Sequence, residues 1–202
     1  MSIMFINDLS AQAIFKALFL PLITASIVIV AISRPVASAQ ANNCKTPGPT
    51  LGHFTVQSPP RPSPNVAFYD VNDNPLTIES YKGKGVVLNY WATWCAPCVK
   101  EMPALSKLHA ELDKEGITVL ALSQDRGGAA KVKKFYAKTG IENLDILIDK
   151  KGKVARKSAV MGLPVTILVD ADGMERGRVR GMAEWDAPES IAFIRDCLKP
   201  AG

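Results

Sequence analysis

Residues 86–103 read VVLNYWATWCAPCVKEMP, and this stretch constrains the fold more than any other in the chain. Val86–Ala92 is β-branched and aromatic, of strand length, and preceded by Gly83 and Gly85. It predicts a strand buried on both faces. Leu105, Leu108 and Leu112 then recur at helical spacing until Gly116, which predicts a helix. A buried strand running straight into a helix belongs to a sheet flanked by helices, where ligands are met at the carboxyl end of the strand. Cys95 and Cys98 lie at that junction.

The rest of the chain supplies the partners such a sheet needs. Val66–Asp70 and Leu76–Ile78, separated by the turn residues Asn72-Asp73-Asn74-Pro75, predict a short hairpin. Ile117–Leu122 predicts a second buried strand, Ala129–Lys138 a helix, Asp145–Ile148 a short strand and Lys153–Ala159 a short helix. Val165–Asp170 and Glu175–Gly181 flank Asp172-Gly173 as an antiparallel pair. Pro188 opens a last helix over Glu189–Leu198. The class is α/β, with a central mixed sheet and helices on both faces. No internal repeat or low-complexity tract is present.

The cysteine spacing has a chemical consequence. Two intervening residues on the first turn of a helix let the sulfurs reach bonding distance while Cys95 stays exposed at the tip. There it faces unsatisfied backbone N–H groups and the positive end of the helix dipole, which favour the thiolate. The thiolate is the form that attacks a disulfide sulfur. Pro97 suits the first turn, having no N–H to lose. Cys98, one turn in, is placed to resolve the mixed disulfide. A structural zinc would need four ligands, and the chain's two histidines are His53, far upstream, and His109, on the helix surface. A static staple across two residues would constrain little of the unfolded chain. A dithiol–disulfide pair that cycles is the favoured reading, with no metal and no cofactor.

Residues 1–39 stand apart. Lys16, the apolar run Ala17–Ile32 and Ala37-Ser38-Ala39 are the parts of a secretory signal. Counted from Ala11, with Lys16 snorkelling, the run is also long enough for a membrane anchor. Either way the rest of the chain is exported, where disulfides persist. Residues 40–64, with prolines at 47, 49, 59, 60, 62 and 64, read as an extended tether, and 65–199 as the domain. The formal charge of +5 is mild, and most of it remains without residues 1–39. The densest basic stretch, Lys150-Lys151-Gly152-Lys153 to Arg156-Lys157, has no interleaved aromatics and reads as a solvated surface, with a docking face for an acidic protein as the sharper alternative. Nucleic acid is not expected as a partner. Cys44 and Cys197 either form a disulfide pinning the tether to the domain or remain apart, Cys197 buried and Cys44 free.

WATWCAPCVKEMP resembles the active-site segment of the exported, often membrane-anchored thioredoxin-like proteins of the TlpA/ResA/CcmG group, and within it the TlpA branch. The resemblance runs from Asn65 to Leu198 and includes Gly162-Leu163-Pro164-Val165-Thr166 and Ala183-Glu184-Trp185. It implies a thioredoxin-like fold extended by an N-terminal β-hairpin and by an insertion before the cis-proline. It implies Cys95 as the attacking and Cys98 as the resolving cysteine. Pro164 matches the cis-proline, which would bring the Leu163 backbone, beside Gly162, to a substrate strand. Glu101 matches the group's active-site glutamate, a carboxyl that would carry protons near Cys98. Asn89 stands where ordinary thioredoxins have an aspartate, which leaves Glu101 as the local proton carrier. Trp94 would shield the cysteines and Trp91 pack in the core. A copper-delivery protein of this kind would want a histidine beyond position 109, and none is there.

The function implied is a periplasmic thiol–disulfide oxidoreductase, expected to be monomeric and re-reduced by an electron-donating membrane thiol–disulfide protein. The substrates implied are copper-site assembly proteins of a respiratory oxidase. Two alternatives stand beside it: reduction of apocytochrome c in cytochrome maturation, as in the CcmG relatives, or copper chaperoning through the cysteines.

Overall fold

The computed structural model describes Cys44 and residues 47–199. The export segment, residues 1–39, and residues 40–43 of the expected tether lie outside the described residues.

In chain order the described residues form β1 (His53–Pro62), β2 (Phe68–Tyr69), β3 (Pro75–Leu76), β4 (Gly85–Trp91), α1 (Ala96–Leu112), β5 (Ile117–Ser123), α2 (Gly128–Thr139), β6 (Leu147–Ile148), α3 (Lys153–Lys157), β7 (Val165–Val169), β8 (Met174–Arg180) and α4 (Pro188–Leu198). The strands make one sheet in the order β1-β8-β7-β4-β5-β6-β2-β3. β4 lies at its centre, parallel to β5 and antiparallel to β7. Every residue of β4 and β5 is buried, as their apolar composition requires.

The period-2 alternation of β4 divides the core. Val87 and Trp91 face a layer made with Met102, Leu105, Leu108 and Leu112 of α1, Val132 and Tyr136 of α2, and Ile194 and Leu198 of α4. Val86, Leu88 and Tyr90 face the other side, with Phe68, Ile78 and, from α3, Val154 and Ala155. Asn89 shares the α1 side with Val87 and Trp91, so a polar group stands under the helix that carries the cysteines. Gly85 is needed where β4 begins, because a Cβ there would come within 2.6 Å of the Leu198 carbonyl at the end of α4. The hairpin of β2 and β3 joins the sheet through β6 at the edge opposite β1. Between β5 and Pro164 the chain carries α2, β6 and α3.

The tether expected over 40–64 requires a correction. Residues 53–62 are a ten-residue strand, antiparallel to β8 from His53 opposite Arg180 to Pro62 opposite Met174. Its prolines are tolerated because β1 is an edge strand, and the pairing is irregular between Val56 and Arg61, where Pro59 and Pro60 fall. Gly177 on β8 makes the approach feasible: a Cβ there would collide with the Phe54 ring and come within 2.9 Å of the Thr55 carbonyl. Phe54 also packs edge-on against Phe193 of α4, with ring centroids 5.1 Å apart. Cys44 and Cys197 are disulfide-bonded, Cα atoms 4.6 Å apart, which fastens the chain ahead of β1 to α4.

Candidate active site

Cys95 is the N-cap of α1, in extended backbone conformation, and its Sγ accepts a hydrogen bond from the Cys98 amide at 3.3 Å. Pro97 occupies the first turn, so the helix starts without displacing an amide from the sulfur. The two cysteines are bonded to each other, Cα atoms 5.2 Å apart. Cys98 is fully buried, and Cys95 is 6% exposed in this disulfide form, far less than a helix tip suggests. Trp94, not Cys95, stands out, at 65% exposure. Trp91 lies in the core, stacked on Tyr136 at 5.9 Å between centroids.

The turn ahead of the cysteines is held by a residue the sequence reading did not single out. Asp125, just past β5, accepts from the Thr93 amide and hydroxyl, each at 2.8 Å, from Ser123 Oγ at 3.0 Å, and pairs with Lys131 Nζ at 3.0 Å. Burial alone would raise its carboxyl, but the bonds from Thr93, Lys131 and Ser123 outweigh that and hold it below the usual range. The only signal in the sequence is its place at the carboxyl end of a predicted strand.

Glu101 points inward despite Pro103 two residues later, because the helix runs through that proline unbroken. Its carboxyl is buried, accepting from Trp185 Nε1 at 2.9 Å and Asn89 Nδ2 at 3.0 Å, and from the Ala183 backbone. Burial pushes the carboxyl up, and these donors offset it only in part. Asn89 Nδ2 also donates to Thr166 Oγ1 of β7 at 2.9 Å, while its Oδ1 has no hydrogen-bond partner among the described residues. Trp185 is thus a second residue missed as part of the site, although Ala183-Glu184-Trp185 belonged to the stretch that carried the resemblance.

β7 runs antiparallel to β4, with Val165 opposite Tyr90, so the start of β7 and the end of β4 share one end of the sheet. That brings Pro164 to the cysteine end, buried and with a cis bond to Leu163. Gly162 is exposed, and Met161 is 97% exposed. The loop ahead of them is held from below: Arg178 Nη1 donates to the Ser158 carbonyl at 3.1 Å, and Tyr90 bonds the Ser158 hydroxyl at 2.7 Å. Arg178 is itself paired with buried Glu175, which also takes Arg61 from β1 at 2.9 Å. Among the described residues no three His, Cys, Asp or Glu side chains gather as a metal ion would require. The arrangement can generate a thiolate at a helix N-terminus, exchange it with a disulfide, and move a proton on a buried carboxyl one helical turn from Cys98.

The AhpC/TSA family model matches residues 59–176. A thiol-disulfide oxidoreductase ResA from Bacillus thuringiensis is 34% identical over 143 residues, covering 68% of this chain and 82% of the relative. A ResA from Geobacillus thermodenitrificans is 31% identical, covering 66% and 76%. Among solved structures, a DsbF homologue from Corynebacterium diphtheriae is similar in fold, with a TM-score of 0.58 at 23% identity, covering 76% of this chain and 97% of that one. A thiol:disulfide interchange protein of the thioredoxin family from Chlorobium tepidum has a TM-score of 0.57 at 21% identity, covering 70% and 98%.

Proposed function

We propose, since the chain belongs to the AhpC/TSA family and is a thioredoxin-fold thiol–disulfide oxidoreductase of the TlpA/ResA kind, that it reduces disulfides of protein partners outside the cytoplasm through Cys95 and Cys98. The observation that carries this is the site's geometry: Cys95 caps α1 with its sulfur on the Cys98 amide, and Glu101 is buried one turn beyond Cys98. The Cys95 thiolate attacks one sulfur of the partner's disulfide. A Cys95–partner bond forms as the partner's own S–S bond breaks, and the departing thiolate takes a proton from solvent. Cys98, giving its proton to Glu101, then attacks Cys95 and releases the partner's second sulfur, which is protonated in turn. The partner gains two electrons and two protons, and the chain is left with a Cys95–Cys98 disulfide. In an oxidising compartment a membrane thiol–disulfide protein must return it to the dithiol. Leu163 and Gly162, just ahead of β7, offer backbone for a substrate strand, and Trp94 and Pro97 beside the cysteines are the further contacts proposed for it. Likeness of WATWCAPCVKEMP to the TlpA branch supports copper-site assembly proteins of a respiratory oxidase as the targets, and residues 1–39 support export.

Trapping tests the reading. A Cys98→Ser variant cannot resolve, so it should accumulate mixed disulfides on Cys95 in the periplasm, visible on non-reducing gels and released by dithiothreitol. Trapping by Cys95→Ser in place of Cys98→Ser would reverse the two roles, and the absence of adducts with either variant would sink the mechanism.

A further inference from the structure

A pocket of about 720 Å³ opens beside Trp94, at the carboxyl ends of β4, β5 and β6. Arg126, Lys150 and Lys151 line it together with Trp94, Ile148 and Asp73. Its acids are already matched: Asp73 pairs with Lys150 at 2.7 Å, and Asp125, at the pocket's base, pairs with Lys131. Neither Arg126 nor Lys151 makes an ion pair among the described residues, and both are exposed. The pocket therefore presents two uncompensated cations next to an exposed indole.

The basic wall is built, not merely solvated. Lys151 is held at φ +62°, a conformation rare for a residue other than glycine. The turn that holds it is fixed from both ends. Asp149 accepts from the amides of Val154 and Ala155 at 3.0 and 2.9 Å, and Arg156 donates to the Lys151 carbonyl. Lys150 is placed as well, with its ammonium 4.1 Å from the centroid of the Tyr69 ring. Two of the five basic residues at 150–157, Lys150 and Lys151, thus line the pocket beside Trp94.

We propose that this pocket docks an acidic segment flanking the disulfide that Cys95 attacks, an inference that rests on the redox reading above. Three features select that occupant. Trp94 lines the pocket and directly precedes Cys95, so an occupant touches the residue next in sequence to the reacting cysteine. The volume takes several side chains, where an inorganic anion would fill only a fraction. The pairing of an indole with unmatched cations suits a peptide offering carboxylates beside apolar groups, and such complementarity acts chiefly on association rate and partner choice. The reaction is unchanged: the partner's S–S bond breaks as the Cys95–partner bond forms, and the partner leaves as a dithiol.

The test uses the reduced full-length protein and two synthetic peptides with the same internal disulfide, flanked by aspartates in one and lysines in the other. The aspartate peptide should be reduced at least about tenfold faster at low ionic strength. That advantage should shrink as salt shortens the screening length from ~10 Å at 0.1 M to ~3 Å at 1 M. An Arg126→Gln/Lys151→Gln variant should cut the ratio of the two rates roughly threefold or more. A Lys84→Gln/Lys114→Gln variant, with the same charge change at the opposite end of β4 and β5, should leave the ratio in place. Equal loss in both variants would reduce the preference to net charge and overturn the pocket. So would equal rates for the two peptides, or inorganic phosphate or vesicles of anionic lipid binding at Arg126 and Lys151 while the aspartate peptide gains nothing. Failure to reduce either peptide, or hydroxyethyl disulfide, would instead overturn the redox reading itself.

Discussion

At the scale of single residues, the proposed proton carrier is Glu101. Its carboxyl is buried among Trp185, Asn89 and the Ala183 backbone, on the same helix as Cys98 and one turn beyond it. Glu101→Gln should preserve the fold, because Asn89 Oδ1 lacks a partner among the described residues and a turned Asn89 amide can accept from the new NH₂ group. The variant should slow resolution by roughly 100-fold, the low end of what a positioned proton carrier supplies. It should also lower the Cys98 thiol's titration more than that of Cys95, because an ionised carboxylate no longer opposes a second negative charge. Stability should shift with pH in a defined direction. Burial raises the folded pKa of Glu101, so its contribution is present below the ordinary carboxylate value of about 4.3 and is lost as pH rises through the folded value. Melting temperature of the variant relative to wild type should therefore climb from acid to neutral pH. A flat difference, with resolution at the wild-type rate, would return Glu101 to a structural role.

At the scale of elements, the sheet is extended by a strand whose partner lies more than a hundred residues away. β1 pairs with β8 and is fastened by the Cys44–Cys197 disulfide, which closes a loop with a sequence separation of 153. A cross-link this long restricts the unfolded chain strongly, and loss of a native disulfide commonly costs about 2–5 kcal/mol. Cys44→Ser/Cys197→Ser should therefore melt well below wild type, by several degrees at about 2–4 °C per kcal/mol for a domain of this size. Thiol–disulfide exchange at Cys95 should persist, since that site is built on α1 and β7. An unchanged melting temperature would mean that β1 and α4 hold together without the bond.

At the scale of the whole molecule, the open issue is how the redox end meets its partners. Among the described residues no helix is long and apolar enough to cross a membrane. Residues 1–39 carry both a signal-like Ala37-Ser38-Ala39 and an apolar run of anchoring length. We expect the run to be kept as an anchor. Protein isolated from the membrane fraction should then begin at Met1 or Ser2, whereas material starting at Gln40 and released on opening the outer membrane would show cleavage after Ala39. An anchored chain would hold the sulfur end and the basic pocket within reach of membrane-bound partners.

The sequence by itself determined the elements whose stability is local. The apolar runs of β4, β5 and β7, the helical spacing of α1, the turn at Asp172-Gly173 and the proline opening α4 each carry their own signal, and the strands and helices stand close to where those signals put them. The place of Cys95 and Cys98 at a strand end and a helix start was legible for the same reason, since it follows from the local pattern around them. What only the tertiary structure decided depends on pairing between distant residues. β1 has neither alternation nor an apolar run, and its prolines argue against a strand until Gly177 opens a place for Phe54 at the sheet edge. The inward turn of Glu101 comes from Trp185 and Asn89, which are 84 and 12 residues away. Asp125 and the basic pocket likewise exist only once β4, β5 and β6 end side by side. A local pattern reports which backbone shape a segment prefers, but the solvent exposure and charge surroundings that give a side chain its chemistry are set by what packs against it.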